Sequence, residues 1–196
     1  GIVTGSRFKD AREKLKGGQP SKTCIAYAMD LARERIGGVA PSKFQNAAMR
    51  LGTEQEPLAR MAYERRTGNL VNEVGFFYTD DRLFGGSVDG LIDDDGVLEI
   101  KTMVGSETLF TAEAIDGVSD YMDQCIGYLW LLGRQWVDLV LWAPDFEHMV
   151  IHRIARDEDT IEKLEADLLA FAKLVQSYED TLRTALAVNN EQAELA

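Results

Sequence analysis

Phe84-Gly85-Gly86-Ser87-Val88-Asp89-Gly90-Leu91-Ile92-Asp93-Asp94-Asp95-Gly96-Val97-Leu98-Glu99-Ile100-Lys101-Thr102 is the stretch that decides how this chain is read. Two short apolar runs, Leu91-Ile92 and Val97-Leu98, flank the turn-forming Asp93-Asp94-Asp95-Gly96, which is the pattern of a β-hairpin. A two-residue primed turn needs positive φ at both central positions, and two Asp fill it poorly. A three-residue loop, Asp94-Asp95-Gly96, with Gly in the left-handed position suits the sequence better. That turn sets Asp93 opposite Val97 and Asp89 opposite Lys101. Side chains alternate along a strand, so Asp89, Glu99 and Lys101 share one face while Leu98 and Ile100 enter the core on the other. Asp89 and Glu99 then lie on a diagonal, roughly 7–8 Å apart.

Two carboxylates and an ammonium on one sheet face are hard to explain by stability alone, because like charges at that distance repel. A hard divalent cation that keeps several waters would relieve the repulsion. A solvated strand face with a weak surface ion pair would account for the same residues. These three residues leave both readings open.

The composition narrows the class. A chain of 196 residues fits one domain, 1–196, and is long enough to bury about 70% of its unfolded surface. No apolar run approaches the ~20 residues of a membrane span and no signal-peptide pattern opens the chain, so a cytoplasmic, membrane-free protein is expected. Cys24 and Cys125 belong to no CxxC pattern, and with His148 and His152 the only histidines, neither zinc nor a disulfide framework is indicated. Lys and Arg number 21 against 33 Asp and Glu, a formal charge of −12. That balance argues against loose, non-specific binding of nucleic acid and for an end-specific or encircling grip, if nucleic acid is the partner.

Working outward, Gly1 to Ser6 is a short stretch ending in a helix N-cap candidate, Ser6, followed by a helix over Arg7–Lys16. A helix start with free N–H groups binds anions, although simple capping explains Ser6 equally well. A second helix spans Ser21–Arg35, with Ile25, Ala28, Met29, Ala32 and Ile36 at helical spacing. A third covers Asn46–Thr67 with a possible break near Gly52, where Thr53 and Glu56 fit a capping box, and with Leu58, Met61 and Ala62 toward the core. Val71–Thr79 reads as one strand, and Met103–Gly117 as a loop beside the hairpin face. Ser119–Leu132 is a helix with Tyr121, Gln124, Cys125 and Tyr128 on one stripe, ended by Gly133. Strands over Trp136–Trp142 and Met149–Ile154 precede a long amphipathic helix from Asp157 to about Ala185, and the tail from about 187 is polar and expected to fray. The order predicts an α/β protein with a central mixed β-sheet flanked by helices.

The spacing Asp89-x9-Glu99-x-Lys101, with an apolar residue before the Lys, resembles the core of the PD-(D/E)XK nucleases, with Val88 where that name places Pro. Gly1-Ile2-Val3-Thr4-Gly5-Ser6, Gly52-Thr53-Glu54-Gln55-Glu56-Pro57, Tyr78-Thr79-Asp80-Asp81 and Tyr121-Met122-Asp123-Gln124 are similar, in order and spacing, to segments of the lambda-exonuclease or YqaJ-type viral recombinase exonuclease family. The resemblance implies a restriction-endonuclease-like core and a Mg2+-dependent 5′→3′ exonuclease, with Mn2+ able to substitute. Such an enzyme digests one strand of linear duplex DNA to 5′-mononucleotides and leaves 3′ overhangs for recombination by strand annealing. It also implies roles: Asp89, Glu99, the Ile100 carbonyl and Glu56 at the metal; Lys101 and Gln124 in catalysis; Ser6, Asp80 and Tyr121 at the substrate. The family's phosphate-binding Arg would precede Gly1. Implied partners are duplex ends carrying a 5′-phosphate, two further copies in a homotrimeric ring, and a single-strand annealing protein, in a bacterial host's cytoplasm if the chain is phage-encoded. The alternatives are another PD-(D/E)XK endonuclease or single-strand exonuclease, or an inactive nuclease-like DNA-binding scaffold. A calcium module on Asp93-Asp94-Asp95-Gly96 lacks EF-hand spacing.

Overall fold

The computed structural model describes residues 1–39, 47–110 and 118–194, with the helical backbone alone for 188–194. In chain order the elements are β1 (Val3–Thr4), α1 (Phe8–Arg12), α2 (Lys22–Arg35), α3 (Ala47–Thr67), β2 (Val71–Asn72), β3 (Phe77–Tyr78) and β4 (Phe84–Gly86). There follow β5 (Gly90–Ile92), β6 (Gly96–Thr102), α4 (Ser106–Phe110), α5 (Met122–Leu132), β7 (Trp136–Ala143), β8 (His148–Ala155) and α6 (Glu158–Glu194). The five-stranded sheet has the order β2-β5-β6-β7-β8 and is mixed, because β6 and β7 run parallel while the other pairs are antiparallel. A small sheet, β1-β4-β3, lies apart from it.

Alternation along β6 and β7 divides the core in two. Val97, Val137, Leu139 and Leu141 pack under α5 and α6 with Cys125, Leu129, Leu164 and Leu168. Leu98, Ile100, Val140 and Trp142 pack on the opposite face, against Ala59 and Tyr63 of α3. Each fully buried Leu or Ile here contributes about 1.5–3 kcal/mol by leaving water. The expected mixed sheet between helix layers is therefore present, and Leu98 and Ile100 point where alternation puts them.

The hairpin turn differs from its expectation. Gly90 pairs with Leu98, Leu91 with Val97 and Ile92 with Gly96, so the loop is Asp93-Asp94-Asp95 and Asp89 lies against Leu98–Ile100 instead of Lys101. Asp93 takes the left-handed backbone, φ 45°, which a short polar side chain tolerates. Gly96 is needed for another reason: a Cβ there would fall 2.3 Å from the Trp136 ring. The slip is two residues, an even number, so every side chain keeps its predicted face.

Other boundaries moved. Ser6 lies inside a 3-10 turn, Gly5–Arg7, and does not cap; α1 begins at Phe8 and ends at Arg12, short of Lys16. Ser21 does cap α2, accepting from Cys24 N–H at 3.1 Å. In α2 the buried stripe is Cys24, Tyr27, Ala28, Leu31 and Ala32, so Met29 stays exposed. Helix α3 passes through Gly52 and Pro57 unbroken, and Thr53 donates to the Met49 carbonyl in place of forming the capping box. Its core face is Ala59 and Tyr63, both 0% exposed, whereas Leu58 and Met61 are 47% and 57% exposed. Val71–Thr79 is two short strands in different sheets, not one. Within Met103–Gly117, residues 106–110 form α4, and the remainder of that expected loop from 111 to 117 lies outside the described residues. Gly68 and Gly133, both with positive φ, end α3 and α5 as expected, while α6 continues past Ala185 through most of the polar tail.

Candidate active site

Strand β6 places Glu99 and Lys101 two residues apart on the face under α5. Glu99 is 3% exposed. Its Oε1 accepts from Lys101 Nζ at 2.8 Å and from Gln124 Nε2, reaching down from α5, at 2.6 Å. Its Oε2 is buried and has no hydrogen-bond partner among the described residues. Burial pushes the Glu99 carboxyl upward, and the Lys101 ammonium offsets this only in part. For Lys101 burial acts downward, but Glu99 outweighs it and the ammonium is held above its ordinary range, hence protonated. The Lys101 Nζ lies 5.4 Å from the centre of the Tyr121 ring, which brings Tyr121 to the edge of the cluster.

Asp89 follows the small sheet and precedes β5. Its N–H donates to the Leu98 carbonyl at 3.1 Å, and its Oδ2 accepts from Ile100 N–H at 2.5 Å. Burial first, then the Glu99 charge, push Asp89 up to about 7. Glu56 comes from α3; burial and then Asp89 raise it as well. The three predicted acidic residues thus act on one another electrostatically, as a gathered set of carboxylates must. Ile100 sends its side chain into the opposite core, so it meets the site through its backbone.

The fit to a divalent cation rests on this donor set. A buried carboxylate oxygen unpartnered among the described residues, two nearby carboxyls each driven up by burial and then by an adjacent carboxylate, and oxygen donors throughout suit a hard cation. Among the described residues no three His, Cys, Asp or Glu groups are close enough to cage an ion unaided. A main-chain carbonyl and retained waters would complete the shell, as Mg2+ accepts.

The remaining predicted residues divide. Ser6 is exposed beside Gly5, whose backbone packs on the Tyr128 ring one helical turn beyond Gln124. Asp80 is exposed in the turn before β4, where the Thr79 hydroxyl and Leu83 N–H donate to Asp81, and among the described residues it makes no hydrogen bond or ion pair to the carboxylate cluster. Two residues not assigned a role from the sequence belong here. Arg60 donates to the Asp89 carbonyl at 3.1 Å and pairs with Glu73 at 3.0 Å and Glu56 at 3.6 Å. Tyr128 accepts from Gln124 at 2.8 Å and donates to the Ser87 carbonyl at 2.7 Å. Each stands four residues after a predicted site residue on the same helix, and that spacing was the available signal.

Known proteins resemble this chain in family and fold. Residues 1–135, which include every residue of the cluster, match the family described as the YqaJ-like viral recombinase domain. The solved structure of an alkaline exonuclease (LHK-Exo) from Laribacter hongkongensis is 31% identical, with a TM-score of 0.80 over 100% of this chain and 95% of that one. The same enzyme in complex with dAMP gives a TM-score of 0.81 at the same identity and coverage. A phage related exonuclease from Haemophilus somnus 129PT, 18% identical with a TM-score of 0.72 over 94% of this chain and 96% of that one, shares the fold. The fold is the restriction-endonuclease-like one expected from the sequence. A comparison with curated proteins found no match.

Proposed function

The chain belongs to the YqaJ-like viral recombinase family, and from that premise we propose that it is a Mg2+-dependent 5′→3′ exonuclease acting on linear duplex DNA. It releases 5′-mononucleotides and leaves a 3′ overhang for strand annealing. The observation that carries this reading is the buried Glu99, paired with Lys101 and Gln124 through one oxygen and, among the described residues, unpartnered at the other, beside an Asp89 driven up by burial and then by the same charge. A purely structural carboxylate at that depth would have both oxygens satisfied.

Asp89, Glu99, Glu56 and the Ile100 carbonyl would hold the ion, Mn2+ being able to replace Mg2+. When bound, it supplies Lewis-acid charge to the scissile phosphate and makes water a better nucleophile. The chain's own groups do the rest. Gln124 orients the attacking water. Lys101, kept protonated by Glu99, places its ammonium against the negative charge that grows on the phosphoryl oxygens. Water oxygen bonds to phosphorus and gives a proton to solvent, the bond from phosphorus to the O3′ of the terminal nucleotide breaks, and O3′ takes a proton from solvent. The departing unit is a 5′-mononucleotide, and the shortened strand keeps a 5′-phosphate for the next cycle. Ser6 contacts that terminal phosphate, and Tyr121 and Asp80 line the substrate path. The complex of the Laribacter relative with dAMP, a nucleoside monophosphate, supports this product length.

The acidic total, −12, favours a ring of three copies that encloses duplex over a surface that attracts it. A strand-annealing protein would take up the overhang. No helix among the described residues is long and apolar enough to cross a membrane. The proposed DNA substrate puts the activity in the cytoplasm.

The test is a linear duplex phosphorylated at one 5′ end, incubated with and without Mg2+. Mononucleotides released from that strand only, and only with the ion, support the proposal. Internal cuts would assign an endonuclease on the same site, and 3′-end release the opposite polarity. No cleavage by the intact protein would leave a DNA-binding scaffold.

A further inference from the structure

We propose that Tyr128 is a positioning residue that fixes the Gln124 amide, so that the Gln124 carbonyl oxygen is presented to the attacking water. The inference rests on reading Glu99 and Gln124 as the catalytic centre. Gln124 Nε2 donates to two acceptors at once, Glu99 Oε1 at 2.6 Å and the Tyr128 hydroxyl at 2.8 Å. Tyr128 donates its own proton to the Ser87 carbonyl at 2.7 Å. A main-chain carbonyl can only accept, so that proton is committed and the hydroxyl oxygen faces Gln124 as an acceptor. Glu99 Oε1, holding the Lys101 ammonium at 2.8 Å, is an acceptor too. Turning the amide over would set its oxygen against two acceptors and lose both bonds. The carbonyl oxygen of Gln124 therefore points away from both, and among the described residues none donates to it.

The Tyr128 ring has no room to shift. A Cβ on Gly5 would fall 2.5 Å from it, a Cβ on Gly86 2.9 Å, and Phe77 meets it edge-on with ring centres 5.9 Å apart. The ring is thus packed by the segment bearing Ser6 and by the strand that leads through Ser87 to Asp89. The hydroxyl is held at a fixed point relative to all three, which is what an amide-orienting partner requires. Both glycines are explained by this close approach to the ring.

Tyr128→Phe keeps the ring and removes the hydroxyl. kcat and KM for mononucleotide release from a 5′-phosphorylated linear duplex with Mg2+ are measured for wild type, Tyr128→Phe, Gln124→Ala and the double variant. The expected result is a kcat about tenfold lower in Tyr128→Phe with KM within about twofold, and no further loss in the Gln124→Ala background. An equal loss in both backgrounds would make Tyr128 a support of the fold alone and overturn the proposal, as would an unchanged kcat. Glu99→Gln, run alongside, separates the two levels. If it turns over normally the active-site reading falls, whereas if it is inactive while Tyr128→Phe equals wild type only the positioning role falls. Should Tyr128→Phe lose its cooperative thermal unfolding, 3-fluorotyrosine at 128 keeps the ring and weakens the hydroxyl as an acceptor. A lowered kcat then supports the role, and an unchanged one overturns it.

Discussion

Glu99 and Asp138 are buried carboxylates on neighbouring parallel strands, at adjacent register positions: Leu98 pairs with Asp138, and Glu99 with Leu139. They point to opposite faces of the sheet and are treated in opposite ways. Asp138, 1% exposed, accepts from the Tyr63 hydroxyl at 2.6 Å and from Arg153 through both its oxygens at 2.8 Å. Arg153 in turn stacks on the Trp136 ring at 3.8 Å. Glu99, equally deep, has one oxygen crowded by two donors and the other without a partner among the described residues. The first arrangement is closed and joins α3 to the sheet. The second is open, and a group left short of positive charge in a desolvated place is where a cation and chemistry are expected.

The contrast breaks most decisively in activity. Glu99→Gln or Lys101→Ala should cut cleavage by at least about a thousandfold while duplex binding persists. Glu99→Gln should lower metal-free stability by about 1–3 kcal/mol, because it leaves the buried Lys101 ammonium without its charge partner. Thermal unfolding beside the cleavage assay checks both, and surviving turnover would move the site elsewhere.

The next effect is in pH. Asp89 is raised from 3.8 to about 7, so the folded chain binds its proton more tightly than the unfolded chain does. The sign follows: metal-free stability from this group is full below about pH 4 and falls as pH rises to about 7, by up to about 4 kcal/mol. Asp89→Asn should flatten that slope in urea titrations. Mg2+ competes with the same proton, so its affinity should rise with pH up to about 7, and a pH-independent affinity would remove Asp89 from the ligand set.

On the closed side, Asp138→Ala should cost about 2–4 kcal/mol by stranding Tyr63 and half-exposed Arg153, measured as a shift of the urea midpoint at unchanged slope. Activity per folded molecule should stay within a few-fold of wild type. The smallest effects test the α3 face. Ala59→Leu should destabilise by about 1–3 kcal/mol through overpacking, whereas Leu58→Ala should change stability by less than about 0.5 kcal/mol.

The sequence was most legible where a short period governs. Alternation alone put Glu99 and Lys101 on one face and Leu98 and Ile100 on the other, and a two-residue register slip left that intact. The turn itself was not legible locally. Gly96 looked like the left-handed residue, but it is small because Trp136, from a later strand, lies on it, and the left-handed position fell to Asp93. Hydrophobicity misled on α3: Leu58 and Met61 look more like core than Ala59 and Tyr63. Close helix-on-sheet packing selects the small Ala59, and Tyr63 is oriented by a hydroxyl bond to Asp138, a partner 75 positions away. Ser6 was read as a cap from residue type, although the 3-10 turn gives it no cap geometry. Arg60 and Tyr128 were visible as i+4 neighbours of Glu56 and Gln124, yet their roles depend on the Asp89 and Ser87 carbonyls, which only the fold brings within reach.

The most direct measurement compares mononucleotide release by wild type, Glu99→Gln and Asp138→Asn on a 5′-phosphorylated linear duplex with Mg2+, normalised to folded protein. Glu99→Gln should give background release and Asp138→Asn near-wild-type release. Full release from Glu99→Gln, with loss in Asp138→Asn, would move the chemistry to the opposite face of the sheet.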